Sequence, residues 1–227
     1  MSSALREERI ARFAASDIYP VISPEFCSAR SVVDVLAGIA AGGAKVVQIR
    51  VKNTSTLDLL TLVKQCKMIT DQYKMLLIVD DRLDVALAAG ADGVHLGQED
   101  FPLREAKKLA PEMLFGVSTH NAPEIHAALA DGCGYLNIGP MFPTQTKSVA
   151  CGALGLEEIM RLKNLVTCPF SVMGGIKEHH LPLLVERGFQ HIAMVTEITQ
   201  APRIEEKVIQ LRKVMESCRS VDQGGDL

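Results

Sequence analysis

Two cations and an amide alternate along one short apolar run: Gln48, Arg50 and Lys52 occupy every second position after Val46-Val47. In an extended chain such positions share one face. That face could grip a phosphate or diphosphate, with Arg binding bidentately and Lys acting as a point charge. A solvated strand end is the plainer alternative, and the shared face favours the anion site over it. Asp80 and Asp81 close the next apolar run, and Asp100 closes the turn GQED. Carboxylates on neighbouring strand ends make a hard-oxygen set suited to Mg²⁺, which takes one or two carboxylates plus substrate oxygens. Taken singly, each is more simply a helix N-cap, Asp81 ahead of Leu83 and Asp100 ahead of Phe101-Pro102.

Further along, Ser118-Thr119-His120 offers a hydroxyl to a phosphate. A Ser118–His120 nucleophile pair is disfavoured, because the residues are two apart and no nucleophile elbow surrounds them. The loop Pro140–Lys147 is stiffened by two prolines and carries Thr144, Gln145, Thr146 and Lys147. Gly174-Gly175 and Val195-Thr196 present backbone N–H groups at the starts of helices, a place where phosphates bind. His95 lies inside an apolar run and reads equally as a satisfied core residue or a ligand contact. His126, His179, His180 and His191 read as helix or turn surface.

These residues recur at a regular beat because each ends a strand-like run. The runs are Ile18–Ser23, Val46–Val51, Leu76–Asp80, Gly93–Leu96, Leu114–Val117, Tyr135–Ile138, Phe170–Met173 and His191–Val195. Most are short, apolar throughout and rich in Val and Ile, as strands covered on both faces are. Helical periodicity fills the gaps, over Ser31–Ala41, Leu57–Ile69, Val85–Ala89, Leu103–Leu109, Glu124–Ala130, Leu156–Leu165, Leu181–Glu186 and Ile204–Met215. Gly42-Gly43, Gly90, Gly132 and Gly188 follow helices and fit left-handed caps. Strands that end in chemistry and are followed by helices predict a single (β/α)8 barrel with its site at the C-terminal ends of the strands. The opening MSSALREERIARF predicts a short leading helix. One catalytic domain is expected over residues 1–219, with a polar, frayed tail over 220–227.

Composition narrows the partners. The chain has 227 residues, 48% of them hydrophobic and 22% charged, and a net charge of −3. No global basic field exists to recruit nucleic acid, so any anionic ligand must be held locally. No apolar stretch is long enough to span a bilayer. The six cysteines form no C-x-x-C pair, which favours reduced thiols in a cytoplasmic protein over disulfides or zinc. Homo-oligomerisation stays open.

The run LLIVDDRLDVALAAGADGVHLGQEDFP (Leu76–Pro102), with GVSTH, IGPMFPTQTK, GGI and ITQA after it, resembles the thiamine-phosphate synthase (pyrophosphorylase) family over about residues 18–201. The resemblance implies a Mg²⁺-dependent transferase of thiamine biosynthesis. It would condense hydroxymethylpyrimidine diphosphate with thiazole phosphate, giving thiamine phosphate and diphosphate. By motif position, Gln48, Arg50, Lys52, Ser118 and Lys147 match pyrimidine-diphosphate contacts, and Arg50, Lys52, Ser118 and Lys147 would carry the catalysis. Asp81 and Asp100 match the magnesium ligands. Thr144, Gln145 and Thr146 match the thiazole-phosphate loop, and Gly175, Val195 and Thr196 its backbone cradle. Three positions depart from the family: Asp80, itself at a substrate-binding position, stands where it usually has Asn, Met173 stands before the glycines where Ile is more usual, and Glu197 follows Thr196 where it usually has a small residue. Asp80 adds a carboxylate beside the substrate diphosphate. The rival readings are a thiazole tautomerase-like isomerase, a barrel aldolase and a catalytically inactive phosphate-binding paralogue.

Overall fold

A computed structural model describes residues 2–144, 146 and 152–222. Eight parallel strands close into a barrel in sequence order, β1 pairing with both β2 and β8. The strands are β1 Ile18–Ile22, β2 Val46–Ile49, β3 Leu76–Asp80, β4 Gly93–Leu96, β5 Leu114–Thr119, β6 Tyr135–Ile138, β7 Phe170–Val172 and β8 His191–Met194. The helices are α1 Ser2–Ala14, α2 Val32–Ala41, α3 Thr56–Gln72, α4 Leu83–Ala89, α5 Leu103–Leu109, α6 Ala122–Ala130, α7 Gly155–Lys163, α8 Leu181–Glu186, α9 Thr196–Thr199 and α10 Ile204–Asp222. The expected barrel and its leading helix are both present.

Two apolar layers hold the barrel. Outward-facing strand residues such as Val47, Ile49, Leu77, Val79, Leu136 and Ile138 pack under the helices in one large cluster. The alternate, inward-facing residues Tyr19, Val46, Leu76, Ile78, Leu114 and Tyr135 fill the interior, and Phe13 of α1 joins them. Phe13 stacks on Tyr135 with ring centroids 4.0 Å apart and meets Tyr19 edge-on at 5.5 Å. The leading helix is therefore the stopper of the barrel's closed end. Ring packing also explains Gly116 on β5, where a Cβ would collide with the Tyr135 ring. His191, read from the sequence as surface, is only 4% exposed. It faces the closed end, where its Nδ1 lies 3.0 Å from the Ser16 carbonyl.

Gly43, Gly90, Gly132 and Gly188 take the expected left-handed turn, with φ between 69° and 83°, whereas Gly42 ends α2 in the right-handed region at φ −69°. Ser31 caps α2 by accepting from the Asp34 N–H at 3.0 Å. α10 runs to Asp222, beyond the Ser220 boundary drawn for the tail, because Val208, Leu211 and Met215 bury one stripe of it in the core. Residues 223–227 lie outside the described residues. Among the described residues no helix is long and apolar enough to cross a membrane.

Candidate active site

The C-terminal ends of β2, β3 and β4 gather the charges. Asp80 is their hub: Gln48 donates Nε2 to its Oδ1 at 3.3 Å, Lys52 Nζ lies 2.9 Å from its Oδ2, and Arg50 Nε lies 3.6 Å from the same oxygen. Lys52 also pairs with Asp81, and Arg50 reaches Ser23 and Glu25 at 3.3 and 3.4 Å. The three residues expected to hold a diphosphate are thus brought together on a carboxylate of the chain itself. Burial first, then the Asp81 carboxylate, push the Asp80 carboxyl up to about 6, against the pull of Lys52 and Arg50. Burial works against the Lys52 ammonium, but Asp80 and Asp81 raise it above its ordinary value. Arg82, next in sequence, is turned outward onto Asp84 at 2.6 Å and Thr56 at 2.9 Å.

Neither Asp81 nor Asp100 caps a helix. The residues preceding α4 and α5 are Arg82 and Pro102, and neither makes a side-chain cap bond. Asp81 sits in the left-handed region at φ 58°, which turns its carboxylate away from α4 and into the rim. Asp100 folds back onto its own loop, accepting from the Gly97 N–H at 2.7 Å. The two carboxylates come within hydrogen-bonding reach of each other, and burial followed by that contact raises the Asp100 carboxyl. Two abutting carboxylates are stabilised by a shared proton or a cation, so the donor set fits a hard divalent ion. Among the described residues no cluster of three or more His, Cys, Asp or Glu side chains forms a metal cage. Substrate oxygens and water would complete such a shell, the usual arrangement for Mg²⁺.

A hydrogen-bonded chain then crosses the barrel interior to the rim. Tyr19 and Tyr135 share a hydroxyl contact of 2.7 Å, Tyr135 meets His95 Nδ1 at 2.9 Å, and His95 Nε2 meets Ser118 Oγ at 2.8 Å. His95 is therefore both things the sequence left open, a satisfied core residue and the neighbour of a site residue. His120 stays apart, held by Glu124 through Nδ1 at 2.9 Å. The imidazole on Ser118 is backed by a neutral tyrosine, which does not stabilise an imidazolium as a carboxylate does.

The ends of β5 to β8 build a second kind of surface. Ser118, Thr144, Thr146, Gly175, Val195 and Thr196 line one cleft. Gly175 has φ 63°, and a Cβ there would meet the Pro143 carbonyl at 2.5 Å, so only glycine fits. The loops after β6 and β7 are laced by Met141 N–H to Met173 O at 2.7 Å and Phe142 N–H to Gly174 O at 2.9 Å. Phe142 stacks on His180 at 4.2 Å, and His180 Nδ1 accepts from the Lys177 N–H at 3.0 Å. Gln145 and Lys147 lie outside the described residues.

The sequence reading missed Lys177. Its ammonium donates to Thr196 Oγ1 at 3.2 Å and pairs with Glu197 at 3.4 Å, while Lys207 holds the other Glu197 oxygen at 2.8 Å. Burial alone would raise the Glu197 carboxyl, but the two lysines hold it below its ordinary value. The extra charge beside the cradle is thereby neutralised. Spacing along the chain gave no signal for this contact, because Lys177 and Thr196 meet across two strands.

The family model for thiamine monophosphate synthase matches residues 18–198. The chain belongs to that family. It is 35% identical to thiamine-phosphate synthase from Caldicellulosiruptor saccharolyticus over 92% of this chain and 95% of that one. With the thiamine-phosphate synthase of Shouchella clausii it shares 38% identity over 81% of this chain and 88% of that one. Among solved structures, thiamine phosphate pyrophosphorylase from Pyrococcus furiosus superposes with a TM-score of 0.83 at 31% identity, covering 92% of this chain and 98% of that chain. The 2-keto-3-deoxy-6-phosphogluconate aldolase of Zymomonas mobilis, at 16% identity and a TM-score of 0.65, shares the barrel alone. None of the eight strands here contains a lysine, so the buried Schiff-base lysine of a barrel aldolase has no counterpart among them.

Proposed function

We propose that this family member condenses hydroxymethylpyrimidine diphosphate with thiazole phosphate, releasing diphosphate and forming thiamine phosphate. The observation that carries the reading is the divided rim: a charged grip on β2–β4 faces a cleft on β6–β8 whose described lining is mainly hydroxyls, backbone and apolar side chains. Two phosphorylated substrates need two anion sites that differ in this way.

In the reaction the bond between the pyrimidine methylene and the diphosphate oxygen breaks, and the thiazole nitrogen bonds to that methylene. No proton must move at the reacting atoms. The site therefore needs to hold charge and to align the partners. Arg50 and Lys52 leave Asp80 and Asp81 for the diphosphate, following the charge onto the leaving group. Mg²⁺ held by Asp81 and Asp100 would supply further neutralisation of that group. Lys147 is assigned to the same diphosphate from its motif position. With His95 protonated on Nε2, its N–H donates to Ser118 Oγ, and the Ser118 hydroxyl proton is left to donate to the diphosphate. Gly175, Val195 and Thr196, with Thr144, Gln145 and Thr146, receive the thiazole phosphate. The Lys177 ammonium is donor-only, so Thr196 Oγ1 accepts from it and turns its own proton to the phosphate.

Incubation of the protein with both substrates and Mg²⁺, scored for thiamine phosphate, tests the reading. One diphosphate per thiamine phosphate is expected. Conversion of one thiazole isomer to another with no condensation would replace it with the isomerase reading, and no product at all would leave the inactive paralogue.

A further inference from the structure

Strand β6 is the edge of the cradle nearest the charged grip, with only β5 between them. Its side chains alternate: Leu136 and Ile138 pack under the helices, while Tyr135 belongs to the barrel interior. Asn137 shares the Tyr135 face one pleat nearer the open end, and it lines the cleft while being only 2% exposed. Its register partners are Ser118 on β5 and Ser171 on β7. Their hydroxyls are engaged elsewhere, Ser118 with His95 at 2.8 Å and Ser171 with the Leu136 carbonyl at 3.5 Å. Thr119 donates to the backbone carbonyl of Asn137 at 3.2 Å and leaves the side chain alone. The carboxamide oxygen of Asn137 is enclosed and has no hydrogen-bond partner. Among the described residues it is the one buried side-chain oxygen in that state.

A carboxamide oxygen enclosed without a partner is costly to the fold, and such local costs persist mainly where function needs them. We infer that Asn137 reads the ring of the diphosphate substrate, its carboxamide pairing with the amine and adjacent ring nitrogen of an aminopyrimidine. The inference rests on the function proposed above and adds to it the residue that selects the ring. A carboxamide sets a donor beside an acceptor, and an aminopyrimidine edge sets an acceptor beside a donor. Asn and Gln read the adenine edge by the same bidentate match. The terminal torsion of Asn is soft and two-fold, so a half-turn brings the enclosed oxygen to the cleft. The position agrees with the chemistry. A ring whose diphosphate is held by β2–β5 and whose methylene meets a thiazole from the cradle passes within reach of β6, which is next to β5. Met173 and Ala193, which line the same cleft, give that ring an apolar flank.

The test pairs binding with stability. Calorimetry in Mg²⁺ would measure the aminopyrimidine diphosphate and inorganic diphosphate against the wild type, Asn137→Leu and Asn137→Ser. Thermal unfolding of the wild type and Asn137→Leu would be followed without ligand. Both variants are expected to lose about tenfold in affinity for the aminopyrimidine diphosphate, the size of a lost hydrogen-bonded contact. Inorganic diphosphate should hold within about twofold. Asn137→Leu, which removes the unpartnered carboxamide oxygen at similar volume, should melt no lower than the wild type. A lower melting temperature for Asn137→Leu would assign the residue a structural role and overturn the inference. Unchanged affinity for the aminopyrimidine diphosphate, or equal losses for both diphosphates, would overturn it too. A wild type that fails to bind the aminopyrimidine diphosphate would overturn the proposed function itself. Wild-type binding with unaltered variants would overturn the Asn137 assignment alone.

Discussion

The two halves of the rim solve the same problem by opposite means. On β2–β4 the proposed diphosphate grip is built from side-chain charges that satisfy one another: Asp80 holds Gln48, Arg50 and Lys52, and Lys52 also holds Asp81. On β6–β8 the proposed phosphate cradle is built from hydroxyls, glycine backbone and two laced loops. The first half must exchange partners when a ligand arrives, so its affinity is a difference between internal and external pairing. The second is shaped before a ligand arrives, so its affinity depends on geometry. Strong charges suit a leaving group whose charge grows during the reaction, and fixed dipoles suit a phosphate that only has to be held.

The largest expected effect tests whether the paired cations are those that act. Arg50→Ala should lower kcat/KM by about a hundred- to a thousandfold, as loss of a charge-directed donor does. Arg82→Ala, whose guanidinium is turned onto Asp84, should change it by less than about twofold. Equal small losses in steady-state kinetics would remove the diphosphate role from β2.

The closed end of the barrel supplies a contrast with both halves. Burial pushes the His191 imidazole down to about 4, from an ordinary value near 6.5. Above pH 6.5 His191 is neutral in folded and unfolded chains alike. As pH falls from 6.5 toward 4 the unfolded chain takes up a proton that the folded chain refuses, so stability is lost across that window. The loss is up to about 3 kcal/mol. Denaturant unfolding between pH 4 and 7 should show this slope in the wild type and a flatter one in His191→Leu. An unaltered slope in the variant would place the titration elsewhere.

Asp81→Ala and Asp100→Ala should each cost at least about tenfold in Mg²⁺-dependent turnover. Full activity in excess chelator would contradict the pair's role. The smallest effect is expected from Asp80→Asn, which frees Lys52 and Arg50 from a competing carboxylate. The variant should bind the pyrimidine diphosphate a few-fold more tightly, by more at low Mg²⁺ than at saturation. Weaker binding at every magnesium level would make Asp80 an orienting group.

The barrel was legible because buried parallel strands are continuous apolar runs, and Leu76–Asp80 and Gly93–Leu96 are found as read. The charged half was equally legible, since Gln48, Arg50 and Lys52 share a face by simple alternation. What escaped depends on contacts across strands. Lys177 meets Thr196 from another loop, and Asn137 is a single polar residue in an apolar strand, with nothing in its spacing to mark it. Asp81 and Asp100 favour helix caps from local sequence, and the left-handed turn at Asp81 with the folded-back loop at Asp100 overrides that preference. His191 sits beside helix-to-strand turn residues, but α1 covers its end of the barrel and buries it.

The division of the rim is tested most directly by titrating each substrate separately into the wild type, Arg50→Ala and Gly175→Ala by calorimetry. Arg50→Ala should weaken the pyrimidine diphosphate at least about tenfold and leave the thiazole phosphate unchanged. Gly175→Ala, which forces a methyl group against the Pro143 carbonyl, should do the reverse. Losses for both substrates in both variants would contradict two separate anion sites.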